Sequence, residues 1–177
     1  HPRPDERHIR YSDVYGLKPL IKTEFNIEGY PCEKFVDLVL KVKPTQVTLV
    51  PDSPDAITSN AGWDVKSNFE LLSELADTFN SNGIRTSIFV GTDLENISFA
   101  AKTGADRIEL YTEPYATNYP INKENAIAPF IEAAQYALQG SRSAFMPRLE
   151  LVARKDNFSN YLDNGDRDND RVELRAS

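Results

Sequence analysis

Short apolar runs alternate with amphipathic helical patterns along most of this chain, and this alternation constrains its fold more than any other feature. The runs are rich in β-branched and aromatic residues and are bounded by glycine, proline or polar turn residues, which is typical of buried strands. They cover residues 21–29, 46–51, 84–91 and 106–112. Because strands that alternate with helices pair in parallel, we predict an α/β fold. Helices should cover both sides of the sheet, so the strands should be apolar on both faces.

Apolar residues at spacings of three and four predict the intervening helices. These patterns cover residues 32–41, 65–79, 94–103 and 122–138. A (β/α)8 barrel and an open doubly wound sheet both satisfy the alternation. Both folds place functional side chains beyond the C-terminal ends of the strands. No G-x-G-x-x-G turn follows a run, which argues against a dinucleotide site.

Composition limits the partners of the chain. Its 177 residues suggest one domain. The net charge of -7 argues against nucleic acid or an anionic membrane as partner. Cys32 is the only cysteine, which excludes an intrachain disulfide and a paired-cysteine metal site and fits a reducing cytoplasm. No apolar run approaches the roughly 20 residues that span a bilayer. We therefore predict a cytoplasmic protein with no metal.

The pattern changes after residue 139. Residues 140–177 contain no clear strand–helix unit and end in a charge-dense stretch. We predict a barrel domain over residues 1–139 and a divergent, poorly ordered polar tail over residues 140–177. A calcium-binding loop in that tail is rejected, because Arg171 stands where the loop needs glycine and Ser177 where it needs glutamate.

Two glutamates stand near the C-terminal ends of predicted strands. Glu28 directly precedes Gly29, and Glu109 lies in the run over residues 106–112. A carboxylate in a buried strand is costly unless it is paired or hydrogen-bonded. Each glutamate is either a structural ion pair or part of a general acid/base pair lining a pocket. For Glu28 the second interpretation gains weight, because Gly29 would let a substrate approach the backbone closely.

Both histidines of the chain, His1 and His8, lie in its first eight residues. A histidine carries protons near neutral pH, and Arg3 beside it could hold a phosphate with its planar fork. A frayed polar end is the other interpretation, and the residues alone leave both open. Thr58 lies in a loop after the second run that is long for a strand–helix connection, where roughly 2–6 residues are usual. That loop is either functional or a variable insertion.

Five segments resemble one known family when they are taken together. They are HPRPDERHI, EFNIEGY, LVPDSPDAITSNAGWDV, GIRTSIFV and GADRIELYTEPYA, and they occur in the order and at the spacing of the family. Over residues 1–138 the chain resembles the pyridoxine 5'-phosphate synthases. The resemblance implies a (β/α)8 TIM barrel that is incomplete here, since the first βα unit and the C-terminal units are missing or replaced. Neither of the histidine-containing segments that the family carries late in its barrel has a counterpart.

The resemblance also implies roles for individual residues. It implies that His1 and Glu28 are proton acceptors and that Glu109 stabilises the transition state. Binding of deoxyxylulose 5-phosphate is implied for Arg3, His8 and Thr58.

The reaction implied for the family is a transferase step of vitamin B6 (pyridoxine) biosynthesis. It condenses 1-deoxy-D-xylulose 5-phosphate with 3-amino-2-oxopropyl phosphate to give pyridoxine 5'-phosphate, phosphate and water, with no metal or organic cofactor. A cytoplasmic homo-oligomer is implied as the assembly. The residues fit this chemistry, because imine formation, enolisation and dehydration need several proton transfers and two anionic substrates need phosphate-binding groups. The alternative is a non-catalytic barrel fragment that binds sugar phosphate.

Overall fold

Five parallel strands form one sheet in a computed structural model of the chain, which describes residues 1–7, 9–52, 61–142 and 150–152. Neighbours in the sheet are also neighbours in the sequence, so the strand order is β1-β2-β3-β4-β5. The strands are β1 (Asn26–Gly29), β2 (Gln46–Leu49), β3 (Arg85–Val90), β4 (Arg107–Leu110) and β5 (Glu150–Val152). The predicted α/β fold with parallel pairing is confirmed.

Six described helices accompany the strands: four lie where the amphipathic patterns predict them, and the two short ones over Tyr11–Leu17 and Glu113–Asn118 were not predicted. They are α1 (Tyr11–Leu17), α2 (Glu33–Val42), α3 (Phe69–Ser81), α4 (Leu94–Lys102), α5 (Glu113–Asn118) and α6 (Lys123–Arg142), with a 3-10 turn over Lys18–Leu20. Asp93 caps α4 as predicted, since its Oδ1 accepts a hydrogen bond from Asn96 N at 2.7 Å. No described helix is long and apolar enough to cross a membrane.

Helix α3 begins four residues later than its apolar pattern suggests, at Phe69 rather than at residue 65. The preceding segment is held in turns by Asp64, whose carboxylate accepts hydrogen bonds from Ser67 N and Ser67 Oγ. A side chain that bonds nearby backbone groups in this way competes with helix formation.

The first strand is shorter than its apolar run. The run covers residues 21–29, but β1 begins at Asn26. Its partner β2 begins at Gln46, in register with Asn26, so residues 21–24 have no neighbouring strand with which to form a ladder. Thr45 Oγ1 instead accepts the hydrogen bond of Phe25 N at 3.1 Å.

The chain beyond residue 139 contains structure that the sequence pattern missed. Helix α6 continues to Arg142, and Glu150–Val152 pairs with β4 as a fifth parallel strand. A three-residue strand is too short to show a periodic pattern, which explains why it was not predicted. The boundary at residue 139 remains a prediction, and the charge-dense end of the predicted tail lies outside the described residues.

The two faces of the sheet differ in chemistry. Side chains alternate between faces along a strand, so residues two apart share a face. The helix-covered face is apolar and buried, and it comprises Ile27, Val47, Leu49, Ile88, Val90 and Ile108. The opposite face is mainly polar, and it carries Asn26, Glu28, Gln46, Thr48, Arg85, Ser87, Arg107 and Glu109, with the buried Phe89 as its apolar member. The prediction that the strands are apolar on both faces is therefore wrong.

Hydrogen bonds between strands explain how the polar face tolerates burial. Gln46, Thr48 and Glu109 are all less than a tenth exposed. Thr48 Oγ1 donates to Asn26 Oδ1 at 3.1 Å, and Gln46 Oε1 accepts from Arg107 Nη1 at 3.0 Å. Buried polar groups that bond one another in this way avoid most of the cost of leaving water.

Candidate active site

His1 and Glu28 meet at the C-terminal end of β1. His1 Nδ1 lies 3.6 Å from Glu28 Oε1, and each side chain is about a fifth exposed, at 22% and 23%. The strand fixes Glu28, while the segment before α1 brings His1 to it. A histidine beside a carboxylate can accept a proton and keep the resulting charge compensated. The pair is open enough for a substrate to reach it.

Arg3 lies at the same end of the sheet, against a buried carboxylate. Its Nη2 is 3.5 Å from Oδ2 of Asp52, which follows β2 and is only 4% exposed at its side chain. Arg3 itself keeps 12% of its side chain exposed. A guanidinium that is oriented from one side by a carboxylate can present its remaining donors to a phosphate. Asp52 was not predicted as a site residue, although it is a carboxylate that directly follows a predicted strand.

Glu109 lies deeper, on the polar face of β4. It is 6% exposed, and its Oε2 accepts a hydrogen bond from Thr48 Oγ1 at 3.5 Å. Thr48 on β2 is completely buried. Strand register also places Thr48 directly beside Glu28. Thr48 therefore lies between the two glutamates that the sequence singled out, and sequence reasoning missed it because threonine is an ordinary strand residue.

Glu6 holds the first segment in place. It adopts a left-handed backbone with φ 56°, and its amide donates to Arg3 O at 2.9 Å, closing a tight turn. Its Oε2 accepts from Tyr11 N at 3.0 Å, and its Oε1 lies 3.7 Å from Lys34 Nζ on α2. A non-glycine residue in this conformation costs roughly 1–3 kcal/mol and persists only when its surroundings fix it. Residues 1–7 are thus an anchored loop rather than a frayed end.

Burial shapes the chemistry beside this loop. It raises the pKa of Tyr11 to about 12, with further contributions from the neighbouring Cys32 thiol and the Glu6 carboxylate. Tyr11 therefore stays protonated at any physiological pH. Cys32 is a free, half-buried thiol.

Gly29 is required by packing. A Cβ at this position would lie 2.3 Å from the ring of Phe35, which fills the space on the helix side of β1. The prediction that this glycine opens the backbone to a substrate is wrong, because the Phe35 ring of the core fills the space that a Cβ would take.

A pocket of about 470 Å³ opens beside the C-terminal ends of β3 and β4. Trp63, Gly91, Phe99 and Tyr111 line its apolar part. Its carboxylates already have partners in the fold: Asp93 caps α4, and Glu95 Oε1 lies 2.8 Å from Lys66 Nζ.

The short segment that enters this pocket is tightly held. Trp63 Nε1 donates to Leu49 O at 3.0 Å, and Asn96 Nδ2 donates to Trp63 O at 2.7 Å. Val65 N donates to Asn96 Oδ1 at 2.8 Å. Trp63 and Val65 are both buried, so this segment is anchored in the core.

The structure gathers four of the six predicted site residues at one end of the sheet, namely His1, Arg3, Glu28 and Glu109. Two of them, His1 and Glu28, are in direct reach of one another. The other two predicted residues, His8 and Thr58, lie outside the described residues. Within the described part of the chain, no group of three or more His, Cys, Asp or Glu side chains is arranged to hold a metal ion.

Fold and site together define an α/β protein whose acid–base groups gather at one end of a parallel sheet. Residues 1–141 match the family model described as Pyridoxal phosphate biosynthesis protein PdxJ. That match covers most of the chain, so the chain belongs to this family.

Curated relatives carry a single name. Proteins named pyridoxine 5'-phosphate synthase from Parabacteroides distasonis, Bacteroides thetaiotaomicron and Flavobacterium johnsoniae are 82%, 70% and 58% identical to this chain over 137 residues. The alignments cover 77% of this chain and 58% of each relative. The chain therefore spans somewhat more than half the length of the relatives that it matches.

Proposed function

We propose that this chain acts as a pyridoxine 5'-phosphate synthase. The reaction is the condensation of 1-deoxy-D-xylulose 5-phosphate with 3-amino-2-oxopropyl phosphate to pyridoxine 5'-phosphate, phosphate and water, without metal or cofactor. The observation that carries the proposal is the His1–Glu28 pair at 3.6 Å, in a chain 82% identical to a protein of that name.

The proposed roles of His1, Arg3, Glu28 and Glu109 agree with where these side chains lie, whereas those of His8 and Thr58 rest on the family resemblance alone. Ring closure requires repeated removal and return of protons, and His1 and Glu28 are the groups placed to accept them. The deeper Glu109 stabilises charge that develops in the transition state. Arg3, aligned by Asp52, binds the phosphate of the deoxyxylulose substrate, together with His8 and Thr58.

We propose that the sheet is part of a (β/α)8 barrel. The strand order supports this, because consecutive strands neighbour one another around a barrel, whereas a doubly wound sheet reverses its order at a switch point. The polar face supports it too, since that face would line the barrel interior. A cytoplasmic homo-oligomer is proposed as the assembly. Exposed apolar side chains on and before α6, such as Ile121 at 80% and Ile131 at 45% exposure, are compatible with contact between copies.

Turnover tests the function directly. The full chain is mixed with both substrates, and pyridoxine 5'-phosphate is followed by its fluorescence. Glu28→Gln should lower turnover by about 100- to 10,000-fold, the usual contribution of a general base. Glu132→Gln is the matched control, because Glu132 is an exposed residue on α6 away from the site. No product from the folded chain would reject the proposal, and full turnover by Glu28→Gln would remove Glu28 from the mechanism.

Binding of sugar phosphate without catalysis is the second candidate. It is favoured by Arg3, which Asp52 orients at the C-terminal end of the sheet, since binding of a phosphate needs no proton transfer. Isothermal titration with deoxyxylulose 5-phosphate separates the two functions. Saturable binding without product would support this candidate, and turnover would reject it.

A further inference from the structure

A chain of hydrogen bonds runs across the polar face of the sheet. Arg107 Nη1 donates to Gln46 Oε1 at 3.0 Å, and Gln46 Nε2 donates to Thr48 Oγ1 at 3.5 Å. Thr48 Oγ1 in turn reaches Asn26 Oδ1 at 3.1 Å and Glu109 Oε2 at 3.5 Å. Strands β1, β2 and β4 are thereby joined through one hydroxyl group.

The Thr48 hydroxyl has a single proton and two acceptors for it. The donation from Gln46 uses one of its lone pairs, so the proton points toward either Asn26 or Glu109. Thr48 is completely buried, and its branched side chain has little rotational freedom at χ1. The position of the oxygen is therefore fixed, and only the hydroxyl proton can turn from one acceptor to the other.

Burial makes this contact consequential for Glu109. A carboxylate that is 6% exposed depends on nearby donors to hold its charge and its orientation. Thr48 supplies such a donor from the floor of the site. Register places Ser87 of β3 beside Thr48, and Ser87 is fully buried with no hydrogen-bond partner for its hydroxyl among the described residues. Ser87 therefore does not bond the Thr48 hydroxyl, whose acceptors among the described residues are Asn26 and Glu109.

We propose that Thr48 is a positioning residue for Glu109, held in place by the pair Gln46 and Arg107. Its hydroxyl donates to the Glu109 carboxylate when that group is charged and to Asn26 otherwise. The catalytic consequence rests on the proposed function, whereas the contact between Thr48 and Glu109 does not. Thr48 touches no reacting atom in this role, because it acts through the carboxylate.

Two readouts test the proposal on the full chain. The first is the side-chain carboxyl ¹³C signal of Glu109 in glutamate-labelled protein, identified as the signal lost in Glu109→Gln. The second is the split between kcat and KM in the synthase assay. Thr48→Val removes the hydroxyl at constant shape, and Thr48→Ser restores it. Thr86→Val is the matched control, because Thr86 is equally buried on β3 but its hydroxyl points to Asn80 near the end of α3.

Thr48→Val should move the Glu109 carbon signal and lower kcat roughly 10- to 100-fold, the size of one hydrogen bond to a charged group. KM should change little, because the lost contact acts after substrate binds. Thr48→Ser should recover both readouts, and Thr86→Val should alter neither. The proposal is overturned if the carbon signal of Thr48→Val is unmoved, or if Thr48→Ser or Thr86→Val behaves like Thr48→Val.

The two readouts also distinguish a failure of this proposal from a failure of the proposed synthase function, on which only the kinetic readout depends. A chain that folds but makes no product rejects the synthase function. The carbon signal then still decides whether Thr48 positions Glu109. Circular dichroism of each variant checks that it is folded, and Thr48→Ala, which also removes the hydroxyl, supplies the test against Thr48→Ser if Thr48→Val does not fold.

Discussion

Adding one methyl group at Gly62 should disrupt the end of the sheet that carries the site. A Cβ there would lie 2.3 Å from both the Cα and the carbonyl carbon of Val90, and 2.4 Å from Gly91 N. These are backbone atoms at the end of β3, so no side chain can rotate away. The loop and the strand end must separate by about 1 Å to restore ordinary van der Waals contact.

The size of the effect follows from that forced separation. Overpacking typically costs about 1–3 kcal/mol. A clash with backbone atoms, which cannot rotate away as a side chain can, belongs at the upper end of that range. Gly62→Ala should therefore lower the free energy of unfolding by about 3 kcal/mol, which is roughly 6–12 °C in Tm for a chain of this length. Trp63 should also lose its hydrogen bond to Leu49 O, which is now 3.0 Å long.

The chain supplies both the probe and the control. Trp63 is the only tryptophan, so its fluorescence reports unfolding from the residue next to the substitution. Gly91→Ala introduces the same methyl group in the neighbouring loop, where a Cβ meets nothing within 4 Å. It should change stability by no more than about 0.5 kcal/mol. Wild-type stability in Gly62→Ala, or an equal loss in Gly91→Ala, would refute the packing argument.

Two further substitutions probe ion pairs. Asp52→Asn should raise KM for deoxyxylulose 5-phosphate at least tenfold in steady-state kinetics, because breaking one partner of a charge pair costs roughly 2–5 kcal/mol. An unchanged KM would show that Asp52 does not align Arg3. Arg85 Nη2, 2.6 Å from Glu24 Oε1, donates a hydrogen bond that lowers the pKa of Glu24. A lowered pKa adds stability above the unfolded-state value, and this is lost as pH falls through the folded-state value. Because Glu24 is half exposed, Glu24→Gln should cost only about 0.2–1 kcal/mol at neutral pH in urea unfolding. That difference should fade as pH falls below the usual pKa range of a glutamate, and a constant difference would contradict the assignment.

The sequence predicted those parts of the fold that repeat along the chain. Four strands and four helices were located because each spans enough residues to show a period, whereas β5, with three residues, could not. Strand ends depend on partners rather than on local composition. Residues 21–24 look like the rest of the first run, yet they form no ladder, because β2 begins only at Gln46.

The site was predicted where residue types are unusual in their setting. Glu28 and Glu109 attract notice as carboxylates at strand ends, and His1 and Arg3 as a histidine and an arginine close together in the first segment. Asp52 and Thr48 were missed, because an aspartate in a turn and a threonine in a strand are ordinary there. Asp52 contacts Arg3 of the N-terminal segment and Thr48 contacts Glu109 of β4, at 3.5 Å in each case. Both contacts join residues far apart in the sequence, and a single sequence does not record such distances.

The polar face of the sheet explains why this fold can place charged groups so deep. A core of apolar side chains alone would leave Glu109 without a donor, and its carboxylate would then be costly to keep charged. Here Gln46 and Thr48 on β2 carry a continuous path of donors from Arg107 toward that carboxylate. Each member is satisfied by its neighbour, so the polar groups order one another instead of destabilising the sheet. The same interactions that make burial tolerable also fix the direction of Glu109, so substitutions on this face should affect stability and chemistry together.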